Sequence, residues 1–229
     1  MKKLVLFDID GTILNVEPHL AKSIFVDTFG ELFNVDISQD VPSFHGKTDL
    51  QIIHDILKLH NIKNRFSIQQ LWDLIYQKFE QKLSFDKIEL LPGISNLIDL
   101  IYGDNQFAIG LVTGNFRRNA YLKLSIVKLE TYFHFGGFGD DSPNRAHLPI
   151  IAINQAKNMK IISENYPQEN TIIIGDTFRD IQAAKSNSMK AIAVATGTAT
   201  AKELSLFKPD ALFDDLSNYL NVFECIKEM

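Results

Sequence analysis

Cysteine is almost missing from this chain. Cys225 is the single one among 229 residues, so no intrachain disulfide can form and a reducing compartment fits best. Long apolar runs are missing too, and nothing approaches the roughly 20 consecutive apolar residues that span a bilayer. Lys2 and Lys3 precede the apolar run Leu4-Val5-Leu6-Phe7 in the manner of a signal peptide, but Asp8 and Asp10 interrupt it well short of a signal core. The expectation is a cytoplasmic protein with no membrane partner. A positive charge excess is likewise lacking. The 23 Lys and Arg face 28 Asp and Glu, giving a net charge of −5, which removes the electrostatic reason to expect nucleic acid or anionic lipid. A small anionic substrate would have to be held by a few local cations and a metal. There is no internal repeat and no low-complexity segment, and a monomer is the expectation.

What is present is enough for a sizeable core, with 45% hydrophobic residues. Residues 4–9, 107–112, 171–174 and 191–195 are short apolar runs suited to strands buried on both faces, with a weaker run at 211–213 and an aromatic, glycine-rich one at 133–138. Helix-period segments lie between them, at 94–102, 117–129, 149–163, 180–186 and 216–226. Such alternation predicts an open α/β fold, a Rossmann-like parallel sheet flanked by helices. From about Val16 to Leu90 the alternation stops. That stretch shows only helical periodicity, in segments 20–33, 50–59 and 68–83, and closes at Leu91-Pro92-Gly93. It reads as a helical insertion placed after the first strand.

Polar residues follow three of the apolar runs. Asp8-Ile9-Asp10-Gly11-Thr12 ends the first, at the edge where open α/β sheets bind ligands. Period-two geometry puts Asp8 and Asp10 on one side, and two carboxyls so close cannot both ionise cheaply, which suits a nucleophile beside a general acid. Alone, the pair could equally be two polar residues ending a strand. Thr113-Gly114-Asn115 follows the second run and offers a hydroxyl and backbone N–H groups to phosphoryl oxygens, or merely a turn and a helix cap. Gly175-Asp176-Thr177-Phe178-Arg179-Asp180 follows the third. Its carboxylates suit Mg²⁺, a cation of oxygen ligands, while Asp176 or Thr177 could instead cap the next helix. Arg145, between Pro143 and Pro149, is a guanidinium available to stabilise phosphoryl charge. Individually these are weak signals; their order along the chain is what connects them.

In that order they resemble the haloacid dehalogenase-like hydrolases, and among them the phosphoglycolate phosphatase-like members with a helical cap. Asp8 to Thr12 looks like the family's first motif, Thr113 with Gly114 the second, and Gly175-Asp176 with Asp180 the fourth. Leu91-Pro92-Gly93 matches the return from cap to core. The third motif departs, since the family has a lysine followed by proline; Arg145 is the best substitute and Lys123 the alternative. The resemblance implies a core domain of residues 1–15 and 91–229 and a cap domain of residues 16–90. It implies a Mg²⁺-dependent phosphatase in which Asp8 attacks phosphorus, Asp10 protonates the leaving alcohol, and Thr113 and Arg145 bind phosphoryl oxygens with help from Thr12, Gly114 and Asn115. Mg²⁺ would be held by Asp8, the Asp10 carbonyl and Asp176, with Asp180 a direct or more distant partner. Small phosphomonoesters such as phosphoglycolate or sugar phosphates are the implied substrates. The loop Phe44-His45-Gly46-Lys47-Thr48-Asp49 offers His45 and Lys47 to the substrate, although a capping role for Thr48 or Asp49 and a solvated Lys47 would explain it equally well. A phosphomutase returning the group to a sugar is the rival within the family. A non-catalytic phospho-acceptor or binding module on the same scaffold is the rival from another class.

Overall fold

The computed structural model describes residues 2–63 and 67–229. Its centre is β1 (Lys3–Phe7), which pairs in parallel with β4 (Phe107–Val112) on one side and β6 (Thr171–Gly175) on the other. Val5 therefore lies opposite Ile109 and Ile172 at once. Beyond β4 lies the two-residue β5 (Gly136–Gly137), and beyond β6 lie β7 (Lys190–Val194) and β8 (Ala211–Phe213), making a six-stranded, all-parallel sheet in the order β5-β4-β1-β6-β7-β8. The chain works outward from β1 in one direction, then returns to its other side. That reversal is where the carboxyl ends of adjacent strands diverge and leave a crevice. Here it gathers the residues that follow β1, β4 and β6.

Both faces of the sheet are covered, which is why its strands read as continuous apolar runs. Leu4 and Leu6 join an apolar cluster with α6 (Leu148–Asn158) and α7 (Phe178–Ser186), whereas Val5 and Phe7 join the cluster on the opposite face with α4 (Ile94–Gly103), α5 (Arg117–Ile126) and α9 (Tyr219–Glu228). One-residue alternation assigns each side chain to its layer. A short α8 (Ala201–Ser205) packs beside β8.

Between β1 and β4 the chain makes β2 (Leu14–Val16), then α1 (Leu20–Phe33), α2 (Asp49–Leu59) and α3 (Ile68–Lys82), and returns through β3 (Ile88–Leu90). Residues 64–66 of this segment lie outside the described residues. The two short strands pair antiparallel, Leu14 opposite Leu90 and Val16 opposite Ile88, forming a neck at which the segment leaves and rejoins the sheet. The sequence shows only helical periodicity from Val16 to Leu90, and this pair corrects that reading at its two ends: three residues are too few to display a period of two. The helices share the apolar cluster of Val5 and Phe7 through Ile24, Phe25, Ile53, Leu71, Ile75 and Phe79. Trp72 of α3 meets Phe116, just before α5, with ring centroids 5.0 Å apart, and Arg118 of α5 bonds Asp73 at 2.8 Å.

The parallel α/β architecture is as the alternation predicts, and the differences are at element ends. The segments expected as helices over 117–129 and 149–163 stop at Ile126 and Asn158. Lys128 and Lys160 just beyond adopt left-handed φ angles of 60° and 58°, a backbone turn that satisfies terminal carbonyls and ends a helix even without glycine. The expected strand over 133–138 contracts to Gly136–Gly137, and Phe133, Phe135 and Phe138 around it are buried. The last helix starts at Tyr219, later than position 216, since Asp215 holds Ser217 N–H and Oγ in a local turn.

The return to the sheet turns on Gly93, which has φ +77° and where an added Cβ would stand 1.8 Å from the Leu216 carbonyl oxygen. Gly93→Ala should therefore lower unfolding stability by about 2 kcal/mol or more, read as a lower urea midpoint at unchanged slope. A loss under about 0.5 kcal/mol would contradict this close backbone approach.

Candidate active site

The residues after β1, β4 and β6 open into a cavity of about 310 Å³ lined by Asp8, Asp10, Thr113, Asn115, Arg145 and Asp176, with the α1–α3 segment on the far side. Asp8 donates its N–H to the Ile174 carbonyl of β6 and its side chain is buried, whereas the Asp10 side chain is 44% exposed and open to the cavity. Adjacent motif carboxylates thus sit in two different environments.

Arg145 organises the deeper one. Asn144 caps the short 3₁₀ turn Arg145–His147 that leads into α6, and from it the guanidinium points inward. It donates to Asp180 Oδ1 through Nε at 3.1 Å and Nη2 at 2.5 Å, and Nη2 also lies 2.7 Å from Asp8 Oδ2. Asp180 is otherwise occupied. Its Oδ2 accepts from the Thr177 N–H at 3.1 Å and the Thr177 hydroxyl at 2.6 Å, at the start of α7. Its carboxylate is therefore a junction that fixes both the helix start and the guanidinium.

Lys123 of α5 organises the shallower environment. Its Nζ lies 2.7 Å from both Asp10 oxygens and 2.7 Å from Asn115 Oδ1, and Asn115 Nδ2 in turn donates to Asp10 Oδ2 at 2.7 Å and to the Thr113 hydroxyl at 2.9 Å. The two cations that the sequence leaves as alternatives are thus both buried in the site, on different carboxylates. Arg145 stands beside Asp8 and Lys123 stands beside Asp10.

The other sequence-predicted residues are distributed unevenly. Thr12 is buried with its hydroxyl 3.5 Å from Asp176 Oδ1. The Gly114 carbonyl accepts the Asp49 N–H at 2.7 Å, so that carbonyl faces the inserted segment. Lys47 lines the cavity but its ammonium bonds Asp55 at 2.8 Å within α2, and His45 is exposed with Nδ1 3.5 Å from Ser43 Oγ. Thr48 caps α2 by accepting the Gln51 N–H, and its hydroxyl donates to the Pro143 carbonyl.

Sequence reasoning gave Asp49 no more than a possible capping role. Its Oδ2 accepts the Phe116 N–H at 2.8 Å, so this residue of α2 is tied to the α5 start by its backbone and its side chain together. Its signal was its place directly after a cap residue, which is an ordinary place for an acid.

Charge burial is the dominant electrostatic fact. Burial raises the Asp8 carboxyl to about 6; Arg145 opposes the rise and Asp180 and Asp10 add to it. Proximity of Asp10 is therefore a lesser cause than the sequence argument makes it. Asp176 is pushed up to about 8 by burial and by Asp8 and Asp180. Burial works against the charge of Arg145, but Asp180 and Asp8 outweigh it and raise its pKa. One guanidinium among three buried carboxylates leaves negative charge in excess. Asp8, Asp176 and Asp180 can each turn one oxygen to within 4.8 Å of the others, and this all-oxygen set matches a hard divalent cation such as Mg²⁺. Beside it, Gly11 has φ +80° and a Cβ there would fall 2.4 Å from Asp176 Oδ2, so glycine leaves the approach to that carboxylate clear. The residues present fit the metal.

A parallel sheet with aspartates at the strand ends around its reversal places the chain among open α/β proteins with an acidic site. The haloacid dehalogenase-like hydrolase model matches residues 5–194, so the protein is a hydrolase of that family. Among curated relatives, a pyrophosphatase PpaX of Listeria monocytogenes is 24% identical over 220 residues, covering 95% of this chain and 94% of its own. Among solved structures, a β-phosphoglucomutase of Clostridium difficile superposes with a TM-score of 0.70 at 22% identity, covering 100% of this chain and 98% of its own. A hydrolase of Pseudomonas syringae does so with a TM-score of 0.69 at 18% identity, covering 99% of each chain. At these identities the solved structures establish the fold alone.

Asp49 has a measurable consequence. Burial lifts its carboxyl to about 7 against the opposing Phe116 N–H and Lys123. The folded state therefore holds a proton that the unfolded chain releases near pH 4, and this residue's contribution to stability falls as pH rises through about 4 to 7. Asn at this position keeps an oxygen for the Phe116 N–H but cannot ionise. Asp49→Asn should flatten the fall in Tm between about pH 4 and 7, and an unchanged pH slope would contradict the shift.

Proposed function

We propose that the chain is a Mg²⁺-dependent phosphatase acting on small phosphomonoesters through an aspartyl-phosphate on Asp8. The observation that carries this reading is the separation of Asp8 and Asp10 into two environments, one buried against Arg145 and one open to the cavity and held by Lys123. Residues 1–15 and 91–229 are taken as the catalytic core and residues 16–90 as a cap whose α2 closes over the site through Thr48 and Asp49.

On this reading Asp8 Oδ attacks phosphorus, and the bond from phosphorus to the leaving oxygen breaks as the new one forms. Asp10, reachable from the cavity, gives its proton to that oxygen, then takes one from the water that hydrolyses the acyl phosphate. Lys123 and Asn115 hold Asp10 in place for both transfers. Arg145 keeps the nucleophile oriented, and its charge favours the ionised form that must attack. The Thr113 hydroxyl and the backbone after β4 would receive phosphoryl oxygens. Asp8, Asp176 and the Asp10 carbonyl would hold Mg²⁺, with Asp180 behind them on Arg145; the ion would neutralise charge between carboxylate and phosphate. The covering segment would exclude bulk water from the site while the phosphoryl group is transferred to Asp8.

Asp8→Asn should abolish phosphate release from p-nitrophenyl phosphate while circular dichroism stays native, and retained turnover would remove the nucleophile assignment. Asp10→Asn should cost more than about 100-fold on an alkyl phosphate but much less on p-nitrophenyl phosphate, whose leaving group needs no proton; equal losses would argue against the acid role. Mutase chemistry, suggested by the name of the C. difficile neighbour, would show as strong activation by a bisphosphorylated sugar.

The metal set has a readout independent of turnover. Mg²⁺ should raise the Tm of the protein in a concentration-dependent way, and Asp176→Ala should abolish that rise. A wild-type Tm indifferent to millimolar Mg²⁺ would count against the site.

A further inference from the structure

Five carboxylates line the cavity, from Asp8, Asp10, Glu17, Asp49 and Asp176, against three permanent cations, from Lys47, Lys123 and Arg145. Each cation is also already engaged. Lys123 is spent on Asp10 and Asn115, Arg145 on Asp180, Asp8 and the Gly46 carbonyl, and Lys47 on Asp55. Among the described residues the cavity therefore offers no unpaired permanent cation to a second anionic group on a substrate. The wall contributed by α1 to α3 and the loop before α2 carries an apolar patch beside His45, Lys47 and Asp49. Phe25 and Phe44 stand with ring centroids 4.9 Å apart, with Ile52 and Phe79 beside them on the cavity.

We infer that this site takes phosphate monoesters of an uncharged alcohol with an apolar face, and selects against substrates carrying a second anion. An additional carboxylate or phosphate would enter beside the carboxyls of Asp10 and Asp49 with no unpaired permanent cation among the described residues to receive it, and a charge left without a partner beside like charges is disfavoured. An uncharged alcohol meets no such barrier and can lay its carbon face on Phe44, which Phe25 backs from within the core. This selectivity departs from the pyrophosphate of the L. monocytogenes relative's name and from the phosphoglycolate that the family resemblance suggests. It rests on the phosphatase reading of the same site.

The test compares kcat/KM at fixed Mg²⁺ for benzyl phosphate and a hexose 6-phosphate with that for 2-phosphoglycolate and inorganic pyrophosphate. The first two should exceed the last two by at least about tenfold. Asp55→Asn frees Lys47 without touching the reacting groups, and should raise kcat/KM for 2-phosphoglycolate by about three- to tenfold while benzyl phosphate stays within about twofold. Phe44→Ala should raise KM for benzyl phosphate several-fold and leave methyl phosphate nearly unchanged. Calorimetric binding of benzylphosphonate against phosphonoacetate in the presence of Mg²⁺ separates the two layers of the argument. If no ester is hydrolysed, the phosphatase reading fails, and the order of phosphonate affinities still decides the selectivity. Equal or tighter binding of phosphonoacetate, or turnover of 2-phosphoglycolate or pyrophosphate matching that of the uncharged esters, overturns the inference.

Discussion

The arrangement depends on burying carboxylates with too few cations to neutralise them. Asp8, Asp176 and Asp180 converge where three parallel strands end, and among the described residues Arg145 is the one guanidinium placed among them. A buried unpaired charge is costly enough to unfold a marginal domain. The chain limits the cost by dividing the work of Asp180, whose one oxygen serves Arg145 and whose other serves the start of α7. What is left over is carried by Asp8 and Asp176, whose carboxyls are raised to about 6 and 8. On the proposed reading, the same shortfall would give a divalent cation its affinity.

The sheet order explains why these groups can meet at all. β1 sits between β4 and β6 although they are far apart in sequence, so its carboxyl end has an open crevice on either side. The inserted segment leaves from that same edge through the β2–β3 neck, and so α2 comes down over the crevice. Its attachment is polar as well as apolar. Asp49 bonds Gly114 and Phe116, and Thr48 bonds Pro143. These few bonds can exchange for water at modest net cost, which suits a segment that on the proposed reading must open for substrate.

Much of this was legible in the sequence, for identifiable reasons. Strands buried on both faces leave unbroken apolar runs, and β4 and β8 were readable to the residue. Asp8, Thr113 and Asp176 were visible because each follows such a run. Lys123 could not be placed with certainty, since nothing local distinguishes a lysine inside α5 that turns toward Asp10 from one that faces water; the difference is a tertiary contact 113 residues away. Asp49 was hidden behind its own cap position, and the β2–β3 neck behind its shortness. Those are signals that only the folded chain supplies.

The two cations bear on one remaining question, why the first motif needs two carboxylates in unlike surroundings. Had Arg145 and Lys123 both stood by Asp8, Asp10 would be an exposed acid with no fixed rotamer, free to pair with solvent. Had both stood by Asp10, Asp8 would be buried without any cation and would keep its proton well above neutrality. Placing one on each holds the buried carboxylate close to ionisation while pinning the exposed one by three hydrogen bonds, from Lys123 to each of its oxygens and from Asn115. A nucleophile must be dry and oriented, and a proton carrier must be reachable and oriented. On the proposed reading, the run from Asp8 to Asp10 meets both demands because the turn before α6 and helix α5 supply different neighbours to two side chains only two residues apart.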